Sequence, residues 1–350
     1  MIEVILIIIL VLILFLVGSY FYTNVNYIKK SLKKIYKAGF VEKQLKLKDG
    51  TILNYGEGAR NGKTPLLLIH GQGMTWKDYA KVLPDLSQHY HVFAIDCHGH
   101  GKSSMEPEKY SAKAMAEDFI KFIDTEIGRK TVVSGHSSGG MIAAWMAAYF
   151  PDHILGTIIE DSPFFSTELD RRENTYVWVY SFQLYEDFKN QDEEEDYLKY
   201  SLERSYWKRM FGEPIWNKIS SDAVEYHKKH PDKPVHLKYL PPVMNRMFET
   251  MTYPFDQRFG ETFYDNSWFK DYDQVEVLSK IKSPVVFIKA KTTYDGDLLV
   301  AALSDEDANR VVSLLENGQR IDVDSPGHDI HYDKPEKFIK IVIEFLNELQ

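Results

Sequence analysis

A serine between glycines is the first feature of this sequence that could do chemistry. Residues 135–139 read GHSSG and match the pattern G-x-S-x-G. A short apolar strand is predicted before the motif, at Thr131–Val133, and a helix of small residues after it, at Met141–Tyr149. In that context the serine occupies a tight strand-to-helix turn that raises its hydroxyl above the sheet. The pattern predicts a nucleophile at Ser137.

A second glycine turn, residues 70–73 (HGQG), follows the apolar strand predicted at Leu66–Ile69. Its glycines allow backbone N–H groups to turn toward an oxygen that becomes negatively charged during a reaction. The expected donors of this oxyanion hole are the N–H of Gln72 and the N–H of Ser138. An ordinary glycine turn is the structural alternative.

The general base is predicted in the loop after the last strand, Arg320–Val323. Gly327 and His328 follow that strand, and His331 lies three residues further on. A histidine there reaches over the end of the sheet and can accept the Ser137 proton. His328 is preferred because it is nearest the strand end and beside a glycine, and His331 is the alternative.

The acid that orients the histidine is expected between the serine and the histidine in the chain. The strand predicted at Pro284–Ala290 leads to Asp295, the first carboxylate after it, and Asp295 is the choice on that ground. The alternatives that stay open are Asp161, Asp297, Asp305 and Asp307.

Residues 96–103 (DCHGHGKS) hold an aspartate, a cysteine and two histidines in one loop. These side chains are too close in sequence for the usual two-pair zinc spacing. We interpret the segment as a structural glycine-rich loop. Cys97, the single cysteine, is expected to be a small packed residue, and no metal or organic cofactor is predicted.

The elements that must position these residues alternate between strands and helices. Such alternation predicts a mostly parallel sheet covered by helices on both faces. The alternation stops over 164–275, which is too long for a loop and is predicted to be a helical cap inserted in a core of 41–163 and 276–350. Its aromatic residues either line an acyl pocket or form the cap's own core: Phe164, Phe165, Trp178, Tyr180, Phe182 and Tyr185.

The N-terminus is predicted to be a membrane anchor over residues 1–22. Val4 to Val17 are all aliphatic or Phe, and Val4 to Tyr22 is just long enough to cross a bilayer as a helix. No Lys or Arg precedes the apolar run and no clear cleavage site follows, which disfavours a secretory signal peptide. Residues 23–40 are predicted to be a lysine-rich tether, and these lysines favour a single-pass protein with a cytoplasmic catalytic domain.

Composition limits the remaining classes of function. The chain has 350 residues, of which 44% are hydrophobic, and this excludes a disordered protein. The formal net charge of −9 argues against a nucleic-acid-binding protein. The predicted partners are a small-molecule ester and, through the N-terminal helix, a membrane.

The motifs HGQG, DCHGHGKS, GHSSGG and GHDIHYDKPEKF, in this order, resemble the α/β-hydrolase superfamily. The resemblance covers Val41 to the C-terminus. It implies an α/β fold with an eight-stranded, mostly parallel sheet, an inserted cap and a Ser-His-Asp triad. The chain departs from many relatives at 290–293 (AKTT), where those relatives have Gly-x-x-Asp, so the turn to Asp295 must be longer here.

A serine nucleophile favours acyl transfer to water, whereas relatives with Asp at this position open epoxides or remove halides. The expected function is hydrolysis of a carboxylic ester, lipid-like or acylated, by a carboxylesterase or lipase-like enzyme. Ser137 forms the acyl-enzyme, His328 moves the proton and Asp295 orients His328. The alternatives are a non-catalytic ligand-binding protein on the same fold, or a thioesterase, peptidase, carbon–carbon hydrolase or haloperoxidase-like enzyme.

Overall fold

An eight-stranded sheet forms the centre of the protein, with the strand order β1-β2-β4-β3-β5-β6-β7-β10. The computed structural model describes residues 2–60, 62–252, 254–325 and 327–349, and side chains from residue 5 onward. The predicted ends of anchor and core at Met1 and Gln350 lie outside the described residues. The strands of this sheet are β1 (Val41–Lys46), β2 (Ile52–Glu57), β3 (Pro65–Ile69), β4 (His91–Ile95), β5 (Thr131–His136), β6 (Ile154–Glu160), β7 (Val285–Lys289) and β10 (Gly318–Asp322).

The sheet is mostly parallel, as predicted. β2 pairs antiparallel with β1 and with β4, and the remaining neighbours are parallel. The central strand β3 is a continuous apolar run, and every one of its residues is buried, as expected for a strand whose two faces are both covered. The carboxyl ends of the parallel strands therefore meet at one edge of the sheet, where the predicted motifs follow β3, β4 and β5.

Helices surround the sheet and fill the insertion. The α-helices are α1 (Ile2–Lys37), α2 (Leu83–Leu86), α3 (Ala112–Phe122), α4 (Ser138–Tyr149), α5 (Gln183–Lys189), α6 (Tyr197–Glu203), α7 (Trp207–Phe211), α8 (Glu213–Lys229), α9 (Pro242–Glu249), α10 (Arg258–Tyr264), α11 (Gln274–Lys280), α12 (Asp305–Leu314), α13 (Ile330–Asp333) and α14 (Pro335–Glu348). A 3₁₀ segment, Trp76–Lys81, precedes α2. The short strands β8 (Tyr294–Asp295) and β9 (Leu298–Leu299) form a separate antiparallel ribbon.

The insertion at 164–275 is helical and has two parts. Its inner aromatic residues, including Phe164, Trp178 and Phe263, share one hydrophobic core with a face of the sheet. Its outer helices pack around Trp216 and Phe248 in a core of their own. The plainer interpretation, that the aromatic residues form core, therefore holds for Phe164, Phe165, Trp178 and Phe182, which are all buried.

The N-terminal helix differs from the predicted division into an anchor and a tether. α1 continues without a break to Lys37, because no proline or helix-ending turn separates the apolar half from the lysine-rich half. Side chains from Ile5 to Val17 are all exposed, and the helix is long and apolar enough to cross a membrane. The lysine-rich half packs against the globular domain, with Ile35 fully buried.

Gly139 holds the start of α4 against the end of β3. A Cβ atom at this position would lie 2.4 Å from the carbonyl oxygen of Ile69 and 2.6 Å from that of His70. We expect Gly139→Ala to destabilise the protein by about 1–3 kcal/mol, since backbone rather than a flexible side chain must move. Thermal unfolding of the full chain in detergent, at one scan rate, measures the change.

Gly260→Ala is the matched control. Gly260 lies within helix α10, and a Cβ atom there would be 3.5 Å from the nearest atom, a ring carbon of Phe182. Because alanine favours helix over glycine by about 1 kcal/mol, the melting temperature should stay equal or rise slightly. Equal melting temperatures for the two variants would contradict the proposed close approach at Gly139.

Candidate active site

Ser137 occupies a strained turn between β5 and α4. Its backbone angles are φ 54° and ψ −123°, a conformation that costs a non-glycine residue about 1–3 kcal/mol. Two hydrogen bonds hold the turn: the Ser137 N–H donates to the Glu160 carbonyl at 2.9 Å, and the Gly140 N–H donates to the Ser137 carbonyl at 3.0 Å. Such strain is typical of a functional position, and it was expected here from the GHSSG motif.

His328 contacts Asp161 and not the predicted Asp295. The His328 Nδ1 lies 2.7 Å from Oδ2 of Asp161, whose side chain is only 1% exposed. The other carboxylate oxygen, Oδ1, accepts the Ala290 N–H at 2.9 Å and lies 3.7 Å from the buried Nζ of Lys289. The His328 side chain is 37% exposed, so a substrate can reach the face of the ring that Asp161 does not cover.

The register of the sheet explains why Asp161 is near Ser137. In the parallel pair β5 and β6, His136 lies opposite Glu160. Ser137 follows His136 and Asp161 follows Glu160, so the two residues lie just beyond the ends of neighbouring strands. Asp161 has φ 42°, a second strained non-glycine position at this edge.

Asp295 was therefore the wrong choice for the residue that contacts the histidine. It lies in strand β8 of the separate two-stranded ribbon, and its half-exposed carboxylate pairs with Arg209 of α7 at 3.1 Å. Two of the later alternatives also have other partners. Asp305 pairs with Arg320, and Asp307 pairs with Arg171 and caps α12 through Ser304.

The charge of Asp161 acts on the proton affinity of His328. Burial lowers the pKa of His328, but the hydrogen bond and the negative charge of Asp161 outweigh burial and raise it above 6.5. Burial raises the pKa of Asp161, yet its contacts with His328 and Lys289 lower it overall, so the carboxylate stays ionised. An ionised acid beside Nδ1 leaves Nε2 as the nitrogen that exchanges protons with a substrate.

His331, the rival base, is fully buried and has both ring nitrogens occupied. Nδ1 lies 2.9 Å from Glu160 Oε2, and Nε2 lies 2.9 Å from Asp78 Oδ2. Burial lowers the pKa of His331, but the two carboxylates raise it to about 10. A histidine that remains protonated and enclosed is unsuited to accept a proton from Ser137.

A buried arginine connects this cluster with the cap. Arg246 of α9 contacts the Asp78 carboxylate, and its Nε donates to Asp329 Oδ2 at 3.1 Å. The other oxygen of Asp329 lies 3.2 Å from Nε2 of His136, whose ring lies 4.4 Å from that of His328 between centroids. Arg246 thus joins the cap to the residues next to both Ser137 and His328.

Asp78, His136 and His331 bring one potential ligand atom each within 4.8 Å of one another. The positive guanidinium of Arg246 contacts the same Asp78 carboxylate, and both nitrogens of His331 face carboxylates. Burial and the neighbouring His328 lower the pKa of His136 to about 4, so it is neutral. This arrangement is that of a hydrogen-bonded charge network, in which Arg246 already supplies the cation.

The two expected oxyanion donors lie at the close approach of α4 and the HGQG turn. A Cβ at Gly71 would lie 3.0 Å from Cβ of Ser137, so this turn touches the candidate nucleophile. In the described part of the chain, neither Gln72 nor Ser138 donates its N–H to a backbone carbonyl. The N–H of Ser138 is at the N-terminus of α4, where helix N–H groups have no intrahelical acceptor.

The loop at 96–103 is structural, as interpreted from its sequence. Asp96 accepts the Trp76 N–H at 2.7 Å and the Lys102 N–H at 3.1 Å, which fixes the shape of the loop. The Cys97 side chain is buried, and burial raises the pKa of its thiol, so the residue packs rather than reacts. His100 accepts the Gly73 N–H at 2.9 Å and thereby supports the HGQG turn.

Two residues near the site were not predicted from the sequence: Lys289 beside Asp161, and Arg246 beside Asp329. Lys289 ends an otherwise apolar strand and is 1% exposed, although lysine is almost never fully buried without a partner. A lysine in a buried strand is the one feature of the sequence that could have indicated it. Arg246 is distant in the chain from both of its partners.

The chain belongs to the α/β hydrolase family. The family model for this fold matches residues 64–335, a range that contains Gln72, Ser137, Asp161 and His328.

Individual relatives show how far the similarity extends. The chain is 30% identical to Epoxide hydrolase 4 of Mus musculus over 122 residues, which is 34% of this chain and 34% of that protein. It is 23% identical to a serine hydrolase-like protein of Danio rerio over 295 residues, 83% of each chain. A solved membrane phospholipase A superposes with a TM-score of 0.60 over 99% of each chain, at 19% identity, which supports the fold alone.

The contact between Asp161 and His328 makes Asp161→Asn the decisive change. An amide at this position loses the charge that holds the His328 ring and its tautomer. We expect the rate of labelling of Ser137 by a fluorophosphonate to fall on the order of 10²- to 10⁴-fold. Asp295→Asn is the matched control and should label at the rate of the unchanged chain. The reverse result would restore Asp295 as the acid.

The pH dependence of labelling tests the raised pKa of His328. If the neutral imidazole of His328 is the base, the labelling rate should rise with pH through a midpoint above 6.5. In Asp161→Asn, burial remains while the charge that raises the pKa is lost, so the midpoint should move to lower pH. Rates measured from pH 5 to 10 on the full chain in detergent, with Asp295→Asn as control, give both midpoints. A midpoint that Asp161→Asn leaves unmoved would contradict this account.

Proposed function

We propose that this protein is a membrane-anchored serine hydrolase that cleaves a carboxylic ester through an acyl-enzyme. The observations that carry the proposal are the strained turn at Ser137 and the contact of His328 with the buried Asp161. The ring of His136, the residue before Ser137, lies 4.4 Å from that of His328 between centroids. Membership of the α/β hydrolase family supports a hydrolytic reaction. The ester, the triad roles and the membrane location are parts of the proposal.

In the proposed reaction the Ser137 Oγ attacks the ester carbonyl carbon while Nε2 of His328 accepts its proton. The carbonyl oxygen becomes an oxyanion that the N–H groups of Gln72 and Ser138 stabilise. The tetrahedral intermediate collapses, His328 returns the proton to the leaving alcohol, and the acyl group stays on Ser137. A water molecule activated by His328 then releases the acid.

Asp161 keeps its charge throughout and stabilises the imidazolium that forms at each step. Within the described residues, Nε2 of His328 has no hydrogen-bond partner, which fits a site whose bonds tighten when substrate arrives. Lys289 and the Ala290 N–H hold Oδ1 of Asp161, so that Oδ2 remains directed at His328. The acid is therefore positioned by the backbone after β7 rather than supplied by it.

Epoxide opening is disfavoured despite the similarity to Epoxide hydrolase 4. That similarity covers about a third of this chain. Residue 137 is a serine, and the α/β hydrolases that open epoxides are those with aspartate at this position. The esters we favour are amphiphilic, because α1 would hold the enzyme at a bilayer where such substrates accumulate.

Ser137→Ala is expected to abolish both fluorophosphonate labelling and hydrolysis of p-nitrophenyl esters. The full chain in detergent is assayed with a graded series of acyl chains, and Ser313→Ala, an exposed serine on α12, is the matched control. Ser137→Ala lacks the only group proposed to attack the ester, so its activity should fall to the uncatalysed rate. Unchanged turnover would contradict the proposal. Ligand binding without labelling or turnover in the folded protein would favour a non-catalytic binding protein.

A further inference from the structure

The lysine-rich half of α1 is docked on the globular domain along one face. Asn24 and Ile35 are buried, and Tyr27 and Ser31 between them are half-buried, a spacing of three, four and four residues. Such spacing places all four on the same side of a helix. The lysines of this half are all exposed: Lys29, Lys30, Lys33, Lys34 and Lys37.

The docked face contacts the outer part of the cap at three points. The Tyr27 hydroxyl donates to the Glu249 carboxylate of α9, and its ring stacks on His236 with 5.4 Å between centroids. Two helical turns earlier, the Tyr20 hydroxyl donates to the Tyr239 carbonyl at 3.1 Å. The cap segment around residue 239 is therefore fixed beside residue 20 of α1.

Residue 20 marks the end of the apolar run. A bilayer core of about 30 Å needs about 20 helical residues, and aromatic residues are enriched where such a helix leaves the core. The group Tyr20, Phe21 and Tyr22 follows Gly18 and Ser19 and is exposed. A span that ends there puts Tyr20 at the level of the lipid headgroups, and its contact puts Tyr239 at the same level.

The cap segment around Tyr239 has side chains of the types that suit the headgroup level of a bilayer. Tyr239 and Val243 are 38% and 64% exposed. The Tyr239 hydroxyl donates to Asp222 of α8 at 2.7 Å, and the face of its ring is partly open to solvent. Lys233 and Lys238 are exposed, and neither has an ion-pair partner within 4.0 Å among the described residues. A protein with a net charge of −9 thus carries two exposed lysines and two exposed apolar side chains within residues 233–243, although the exposed Asp232 precedes Lys233.

We propose that residues 233–243 are a second membrane-contact surface, which binds an anionic bilayer through Lys233 and Lys238 and places Tyr239 and Val243 among the headgroups. This rests on the membrane anchoring in the proposed function and adds a lipid surface as the partner of the cap. Basic residues near an anionic leaflet contribute attraction, and apolar side chains contribute by leaving water. The cap helix α9, which carries Arg246, would then lie against the bilayer.

The test places an environment-sensitive fluorophore at Val243→Cys in the full chain, with Cys97→Ala as background. The protein is reconstituted in phosphatidylcholine vesicles with or without 30% phosphatidylserine and with nitroxide-labelled headgroups. We expect a blue-shifted emission and quenching about twofold or more above that of the same fluorophore at Ser313→Cys. Ser313 is the matched control because it is an exposed residue of α12, which packs on α11 and β10.

A second experiment tests whether Lys233 and Lys238 bind the anionic lipid. Replacement of Lys233 and Lys238 by Gln should remove the extra quenching that phosphatidylserine produces, whereas replacement of the exposed Lys270 and Lys282 by Gln should not. Emission and quenching at Val243→Cys equal to those at Ser313→Cys would overturn the proposal.

Flotation of the vesicles and fluorophosphonate labelling are measured on the same samples. Protein that does not float with vesicles overturns the anchor and this surface together. Protein that floats and labels at Ser137, but whose residue 243 stays in water, overturns this surface alone and leaves the proposed function standing.

Discussion

The hydrogen bond between His328 and Asp161 depends on the adjacency of two parallel strands. β5 ends one residue before the candidate nucleophile and β6 one residue before the candidate acid, so the register of the pair puts Ser137 and Asp161 side by side at the edge of the sheet. The carboxylate is 1% exposed, so the cost of burying its charge must be offset locally. The Ala290 N–H and the nearby Lys289 ammonium provide that offset from the next strand, β7. Three consecutive strands of the sheet thus define one side chain's position.

A second constraint is the buried charge network beneath the site. Three carboxylates, on Asp78, Glu160 and Asp329, surround the cations of Arg246 and His331. A buried charge left without its partner costs several kcal/mol, so these groups stabilise the fold only as a complete set. Arg246 belongs to the cap helix α9 and pairs with both the Asp78 and the Asp329 carboxylates, so the position of α9 matters for both. The cap thus supplies a positive charge that pairs with buried carboxylates of the core.

The sequence predicted those parts of the protein that depend on local pattern. The Ser137 turn, the HGQG turn and the alternating strands follow from glycine spacing and apolar runs that need no distant partner. Asp161 could be chosen over Asp295 only by knowing that β5 and β6 are neighbours in the sheet. The order of strands in a sheet cannot be predicted from any single segment of the sequence. The same reason hides Arg246, whose carboxylate partners Asp78 and Asp329 are far from it in the chain. The tether was expected to be a separate segment because its contacts with His236, Tyr239 and Glu249 are also long-range.

These long-range contacts form a continuous path from α1 to the loop that carries His328. Tyr27 of α1 contacts Glu249, which is one helical turn from Arg246 on α9, and Arg246 pairs with Asp329, the residue after His328. Glu249 and Arg246 are on the same side of α9, so the contact with α1 and the pair with Asp329 are made from one face of one helix. Ile35 is fully buried in the hydrophobic cluster that includes Trp76 and Tyr79, whereas Tyr20 and Tyr27 contact the cap. α1 thus contacts the core and the cap at once, and its other half is long and apolar enough to cross a membrane.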